Sequence, residues 1–143
     1  MPDILHDFPI QAPRERVFAA LSTPQGLDTW WTMRSSGKPS AGAEYELWFG
    51  PEHDWRARIS KCVPGSEFEF TMTRSDEDWN GSKVGFRLET RGSSTWVTFR
   101  HTGWPAANDH FRISSFCWAM YLRILKRSIE HGESVPYEKR LDA

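Results

Sequence analysis

Residues 44–102 alternate apolar and polar side chains with a period of two, and no other feature of the sequence constrains the fold as strongly. This period indicates β-strands, because successive side chains of a strand point to opposite faces. Short connections rich in Gly, Pro, Asn and Ser divide the stretch and are typical of turns. The pattern predicts five strands, at residues 44–49, 55–62, 67–74, 83–91 and 95–102. The connections are too short for helical crossovers, so we expect an antiparallel, strongly curved sheet.

The two faces of this predicted sheet differ in polarity. One face collects large apolar groups, among them Tyr45, Phe70, Phe86 and Phe99, and it ends at His101. The other face collects Glu and Arg, which in neighbouring strands would form pairs of opposite charge facing water. We therefore expect one wet face and one covered face.

The cover comes from residues 109–131, which repeat apolar side chains at steps of three and four, as an amphipathic helix does. The repeat comprises Phe111, Ser115, Trp118, Leu122, Leu125 and Ile129. Asp109 is the predicted N-cap and Gly132 the predicted C-terminal stop. A helix of this length spans roughly 30 Å and can cover a whole sheet face.

The N-terminal third supplies three further elements. Residues 3–10 alternate as a strand, with His6 on the inward face. Pro13 suits the first position of a short helix that runs to about Ser22, and Thr23 is the predicted N-cap of a second one, followed by a loop over residues 35–42. The fold class is therefore α+β in the order βααβββββα, a six-stranded sheet around a long helix, in a single domain over residues 1–143. A bent sheet and a straight helix tend to leave a cavity between them.

Charge and composition exclude several classes of partner. Eighteen Lys and Arg against nineteen Asp and Glu give a net charge of −1, which offers no basic surface for nucleic acid or for a membrane. No apolar run is long enough to span a bilayer. The N-terminus has no basic region followed by an apolar one, so the sequence predicts a cytoplasmic protein. Cys62 and Cys117 lack metal-ligand spacing and are expected to be reduced.

Aromatic residues are the main functional clue, at 14% of the chain with eight Trp. Large rigid side chains line ligand cavities, although they also fill solid cores, and that alternative stays open. The predicted ligand-binding residues are Trp31, Tyr45, Phe70, Phe86, Phe99, His101, Trp118 and Tyr121. For His101 two interpretations stay open: a residue with a pKa in the physiological range that orients a polar ligand group, or a satisfied or rim-exposed histidine. Motifs such as HExxH, GxGxxG and GxSxG do not occur, so we predict no catalytic residue, no metal and no cofactor.

The helix carries a second apolar stripe, formed by Ile113, Phe116, Met120 and Ile124. A helix covered by a sheet on one side should be polar on the other. The stripe must therefore be buried by the N-terminal helices, by the tail around residues 135–137, or by a second subunit. A homodimer through these four residues is one prediction.

Three phrases carry a family resemblance: residues 10–18 (IQAPRERVF), residues 30–32 (WWT) and residues 117–133 (CWAMYLRILKRSIEHGE). Together they resemble the family named for the activator of the heat-shock protein 90 ATPase. That family lies in the START/SRPBCC superfamily, which includes the birch pollen allergen and the polyketide cyclases. The resemblance implies a helix-grip fold and a hydrophobic small molecule bound between sheet and helix.

Three functional interpretations follow. The first is a protein that binds a small hydrophobic or aromatic molecule, with a polar handle from His101, Tyr121 or a Trp indole. The second is a cyclase- or dehydratase-like enzyme that uses the same cavity. The third is a protein-interaction module, similar to a co-chaperone, that uses the second helix stripe. Because one fold hosts many functions, only the site can distinguish them.

Overall fold

The computed structural model describes residues 2–142 and contains one antiparallel sheet with three α-helices. The strands are Ile4–Ile10 (β1), Arg34–Ser36 (β2), Glu44–Trp48 (β3), Asp54–Val63 (β4), Glu67–Arg74 (β5), Lys83–Arg91 (β6) and Ser94–Thr102 (β7). The helices are Arg14–Ser22 (α1), Pro24–Trp30 (α2) and Asp109–His131 (α3). Short 3₁₀ turns cover Glu77–Trp79 and Tyr137–Asp142, and the latter is called the C-terminal segment below.

The sheet has the spatial order β1-β7-β6-β5-β4-β3-β2. Each strand from β2 to β7 pairs with its neighbour in sequence, whereas β1 pairs with β7 at the far edge. Helices α1 and α2 carry the chain from one edge of the sheet to the other. The predicted α+β helix-grip architecture is confirmed.

The sheet has seven strands rather than the predicted six. The additional strand, β2, begins at Arg34 and runs into the segment predicted as a loop. Its three residues pair with the end of β3, and the Arg34 guanidinium lies 3.9 Å from the centre of the Trp48 ring. A three-residue strand is too short to show alternation, so the pattern could not reveal it.

The predicted helix ends shift by one residue. Helix α3 begins at Asp109, but its N-cap is Asn108, whose side chain accepts a hydrogen bond from the Phe111 amide. Asn and Asp are equally good N-caps, so two such residues in succession leave the start ambiguous. Pro13 likewise caps α1 instead of opening it. Gly132 ends α3 in the left-handed conformation as predicted, and Thr23 caps α2.

The covered face of the sheet forms the core with α1, α2 and α3. The inward residues of the central strands are buried, including all five aromatic or imidazole residues predicted on β3, β5, β6 and β7. Helix α3 packs against β1, α1 and α2. Trp118 is its main anchor, because the ring lies 4.7 Å from the Phe99 ring and 5.1 Å from the Trp31 ring, measured between centroids.

The outer face is charged as predicted, but part of it is not wet. Glu69 is buried there and accepts hydrogen bonds from Arg100 at 2.9 Å and from Ser60 at 2.8 Å. Arg100 reaches Glu69 across Gly85, where a Cβ atom would lie 2.8 Å from the guanidinium carbon. The bare glycine therefore makes room for this ion pair, which joins β5 to β7 across β6.

Candidate ligand pocket

A pocket of about 270 Å³ lies at one end of the sheet, beside the first half of α3. The connections β3–β4 and β5–β6, the end of α2, helix α3 and the C-terminal segment all contribute to its wall. Its lining residues are Trp31, Phe49, His53, Trp55, Asp76, Trp79, His110, Ile113, Ser114, Cys117, Trp118, Tyr121, Tyr137 and Leu141. Half of these are Trp, Phe or Tyr, so the wall is largely aromatic.

Four tryptophans form a continuous cluster in this wall, in which Trp55 is half-buried and the other three are at most 7% exposed. The Trp79 and Trp118 rings stack with centroids 5.7 Å apart and planes at 22°. Trp31 contacts Trp118 on one side, and Trp55 lies 4.9 Å from Trp79 on the other. Such a cluster suits a flat apolar molecule, because aromatic rings pack well in offset and edge-to-face arrangements.

The eight predicted ligand-binding residues divide into two groups. Trp31, Trp118 and Tyr121 line the pocket. Of these, Trp31 and Trp118 are 2% and 1% exposed, and Tyr121 is half-buried. The other five are fully buried and are not among the lining residues: Tyr45, Phe70, Phe86, Phe99 and His101. Alternation along a strand tells which face a side chain occupies but not whether a helix covers it, so wall and core residues look the same in the sequence.

Several of the lining residues, including His53, Asp76 and His110, were not identified from the sequence. The predicted topology nevertheless indicates that they lie near one another. In an antiparallel meander every second connection lies at the same end of the sheet. The connections β3–β4 and β5–β6 therefore lie at the same end as the segment after β7 that leads into α3. We therefore expect polar residues in these three segments to lie close together near the start of α3.

His101 lies beneath the pocket in a series of hydrogen bonds that runs from the Trp118 indole to the Trp79 carbonyl. The Trp118 Nε1–H donates to Nδ1 of His101 at 3.1 Å. An indole nitrogen can only donate, so Nδ1 carries no proton and the imidazole proton is on Nε2. That Nε2–H donates to the Ser82 hydroxyl oxygen at 2.8 Å, and the Ser82 hydroxyl donates to the Trp79 carbonyl.

This environment agrees with the second interpretation of His101, a satisfied histidine, and not with titration near neutral pH. Burial, with a smaller contribution from the charge of His110, lowers its pKa to about 3. The neutral imidazole is therefore the form present under ordinary conditions. Both ring nitrogens are engaged inside the protein, so His101 positions Trp118 rather than contacting a ligand.

Two other buried indoles lack such partners. Within residues 2–142, the Nε1 atoms of Trp79 and Trp104 have no hydrogen-bond acceptor. A buried donor without a partner costs roughly 1–3 kcal/mol and calls for an explanation. Trp79 lines the pocket, so the wall includes a side chain whose polar atom the protein does not satisfy.

The rim of the pocket carries ionisable groups. Asp76 lies 3.9 Å from the Nδ1 atom of His53 and 3.9 Å from the Nε2 atom of His110. His110 is closer to Asp78, with 3.1 Å between its Nδ1 atom and the carboxylate. Deeper in the wall, burial raises the pKa of Tyr121 to about 12, so its hydroxyl keeps its proton and is able to donate.

The C-terminal segment closes one side of the pocket with Tyr137 and Leu141. It is held by the buried guanidinium of Arg140, which donates to the carbonyl oxygens of Val135, Thr32 and Asp28. The last two carbonyls lie in α2 or directly after it. The same side chain therefore fixes the segment to the N-terminal helices.

Metal and membrane sites find no structural support in the described part of the chain. Among residues 2–142 no group of three His, Cys, Asp or Glu side chains is placed to hold a metal ion. Cys62 and Cys117 are free thiols, and burial raises the pKa of each. None of the helices in residues 2–142 combines the length and apolar character needed to cross a membrane.

The second stripe of α3 is only partly exposed. Ile113 and Phe116 are 61% and 70% exposed, whereas Ile124 is 2% exposed and belongs to the core. Met120 is half-buried. The predicted interface of four residues is therefore corrected, because Ile124 is covered within the monomer, and its exposed part is Ile113 and Phe116.

Several solved structures have the same architecture as this chain. The solution structure of the Aha1 dimer from Colwellia psychrerythraea matches with a TM-score of 0.85 and 30% identity, over 94% of this chain and 100% of that one. Protein SSP2350 from Staphylococcus saprophyticus matches with a TM-score of 0.77 and 22% identity, over 94% of this chain and 96% of that one. CalU16 from Micromonospora echinospora matches with a TM-score of 0.75 and 18% identity, over 98% and 81%. The last two likenesses show the fold alone.

A search of curated proteins found no match. The model of the family described as "Activator of Hsp90 ATPase homolog 1-like protein" matches residues 11–130, which include most of the strands and nearly all of α3. These residues contain the three phrases that carried the resemblance in the sequence, except for the first residue of one and the last three of another. The chain belongs to this family of "Activator of Hsp90 ATPase homolog 1-like" proteins, within the START/SRPBCC superfamily.

Proposed function

We propose that the protein binds a small, largely apolar aromatic molecule in the pocket beside α3. The observation that carries this proposal is a pocket lined by half-buried aromatic side chains, among them Trp55 and Tyr121, over a packed cluster of Trp31, Trp79 and Trp118. Ligand sites are typically concave and aromatic, with a few polar groups that fix orientation. The Tyr121 hydroxyl, with its proton retained, is one such group, and the rim residues supply others.

The buried groups of this site fit non-catalytic binding better than cyclase- or dehydratase-like chemistry. General acid–base catalysis needs a group that changes protonation near the operating pH. His101, the strongest candidate in the sequence, is neutral, fully buried and engaged at both ring nitrogens. Tyr121 and Cys117 are protonated for the same reason, namely burial.

The experiment is a screen of small aromatic fragments by ligand-observed NMR against the wild type and two variants of α3. Cys117→Trp adds an indole inside the pocket wall and should abolish the binding of most fragments. Arg112→Trp adds the same group at an exposed position of the same helix that does not line the pocket, and should keep them. Fragments that bind all three proteins equally, or that bind none, would contradict the proposal.

A second candidate function is self-association through Ile113 and Phe116. Both side chains are exposed on α3, and the Aha1 protein from Colwellia psychrerythraea, 30% identical, is described as a dimer. Exposed apolar patches of this kind often mark association surfaces. Phe116→Glu should shift the sedimentation profile toward the monomer, whereas Leu5→Glu, at an exposed apolar site on the edge strand β1, should not. A wild-type protein that sediments as a monomer at every concentration would exclude this candidate.

A further inference from the structure

The ionisable groups of the pocket are unevenly distributed in sign. Of the residues in 2–142 that line it, none is Lys or Arg, and Asp76 is the carboxylate. The phenols of Tyr121 and Tyr137 and the thiol of Cys117 are uncharged at neutral pH, because burial raises the pKa of each. The remaining ionisable side chains are the imidazoles of His53 and His110. The fixed charge of the lining side chains is therefore negative, and the nearest buried cation outside the lining is Arg140, whose guanidinium lies 5.5 Å from the centre of the Tyr137 ring.

The carboxylate of Asp76 is only loosely engaged by the protein. Its distances to His53 and His110 are both 3.9 Å, which is beyond hydrogen-bond length. The neighbouring Asp78 carboxylate instead has two close partners. These are the His110 Nδ1 atom at 3.1 Å and the Asn108 side-chain amide, which donates at 3.3 Å. Asp76 is also 44% exposed, so its oxygens are accessible to a donor from outside the protein.

The aromatic wall beside Asp76 also favours positive charge. The faces of Trp and Tyr rings carry negative potential and attract ammonium groups, most strongly for Trp. Four Trp and two Tyr line this pocket together with the carboxylate, and Trp55, Tyr121 and Tyr137 are the partly exposed rings among them. Aromatic faces and a carboxylate without a close hydrogen-bond partner, in one pocket, are the chemistry by which proteins recognise organic cations.

We propose that the ligand is an aromatic amine, bound with its ring among the tryptophans and its ammonium group at Asp76. This inference rests on the proposed function and adds the charge of the ligand to it. A ligand of the same shape with a carboxylate would place two negative charges together at the rim, with no Lys or Arg of the wall to offset them. A neutral analogue would keep the ring contacts and lose the ion pair.

The test uses three indoles of nearly equal shape, titrated by isothermal calorimetry: cationic tryptamine, neutral tryptophol and anionic indole-3-propionate. The wild type should bind tryptamine at least about fivefold more tightly than tryptophol, which corresponds to a partly exposed ion pair, and indole-3-propionate most weakly. Asp76→Asn should abolish the preference for tryptamine and leave tryptophol affinity unchanged. Glu77→Gln removes the same charge from an exposed neighbour outside the pocket and should preserve the preference.

The outcomes separate the two proposals. Equal affinity for tryptamine and tryptophol, or tighter binding of indole-3-propionate, would overturn the amine inference while binding in the pocket stands. The same would follow if Glu77→Gln reduced the preference as much as Asp76→Asn does, because the effect would then be one of overall charge. If none of the three indoles binds the wild type, both the amine inference and the proposed function fail.

Discussion

Trp79 and Trp118 stack against each other in the same wall, yet their indole N–H groups have opposite fates. Trp118 comes from the long helix α3 and donates to His101, whose other nitrogen is bonded to Ser82. Trp79 comes from a short 3₁₀ turn, and its Nε1 atom has no acceptor within the described residues. The comparison teaches that one of the two stacked indoles is satisfied within the protein, whereas the other leaves its N–H without a partner. An unpaired buried polar group of this kind calls for an explanation.

The largest expected effect is a loss of stability in acid through His101. Its pKa in the folded protein, about 3, lies below the ordinary value of 6.5, so protonation favours the unfolded chain. Its contribution to stability is complete above pH 6.5 and declines as the pH falls from 6.5 toward 3, by at most about 1.4 kcal/mol per pH unit. Urea unfolding at pH 7, 5.5 and 4 measures this loss.

The control for the acid effect is His101→Gln, whose amide is able to accept from Trp118 and donate to Ser82 without titrating. Glu69 and Glu130 have pKa values lowered by their hydrogen bonds and ion pairs, so both proteins lose some stability in acid for that reason. The wild type should lose more than His101→Gln between pH 6.5 and pH 4. Parallel pH profiles for the two proteins would show that His101 does not titrate in this way.

The second effect comes from breaking the hydrogen bonds that link Trp118, His101 and Ser82. His101→Phe keeps a ring of similar size but leaves the Trp118 N–H without an acceptor, which should lower the free energy of unfolding by about 2–3 kcal/mol. Adding Trp118→Phe removes that stranded donor, so the double variant should be less destabilised than the sum of the two single variants. Strict additivity would indicate that the hydrogen bond contributes nothing.

A third, smaller effect separates the two stacked tryptophans directly. Trp118→Phe strands His101 Nδ1 and should cost about 1–3 kcal/mol, whereas Trp79→Phe removes a donor that has no partner. Both substitutions lose similar ring area. The unfolding free energy of Trp79→Phe should therefore exceed that of Trp118→Phe by at least about 1 kcal/mol. Equal losses would remove the distinction between the two stacked indoles.

The smallest effect concerns the C-terminal segment. Arg140→Met keeps much of the buried stem but removes the donors to three carbonyl groups. The segment should detach locally, at a cost to global stability of about 1–2 kcal/mol. Amide exchange should accelerate in residues 135–142 and remain unchanged in β6 and β7. Unchanged exchange in the segment would mean that Tyr137 and Leu141 hold it without the arginine.

Most of the fold could be predicted from the sequence because its signals are long. Nine residues of alternation in β7 and the full apolar repeat of α3 each exceed what chance produces. The short strand β2 carries no such signal, and adjacent cap candidates such as Asn108 and Asp109 differ too little to choose between them. These are the places where prediction and structure differ.

The candidate site was less predictable, for a reason that His101 illustrates. Alternation placed His101 correctly on the inward face, but its pKa depends on depth and on two partners, Ser82 and Trp118, that are distant in sequence. Likewise, Asp76 and His110 meet only because the β5–β6 connection lies at the end of the sheet where α3 begins. The local sequence encodes the sheet face on which a side chain lies. The depth of its burial and the contacts at the pocket rim depend on the assembled fold.

The most direct test of the account uses the eight indole N–H signals in the proton–nitrogen NMR spectrum, each assigned by a Trp→Phe variant. Four indoles line the pocket, and Trp48 and Trp96 serve as internal controls because arginine side chains lie over their rings instead. Adding whichever of tryptamine, tryptophol and indole-3-propionate binds most tightly should move the signals of the four pocket indoles and leave those of Trp48 and Trp96 in place. Shifts of equal size in all six, or none in the four pocket signals, would contradict ligand binding at this aromatic wall.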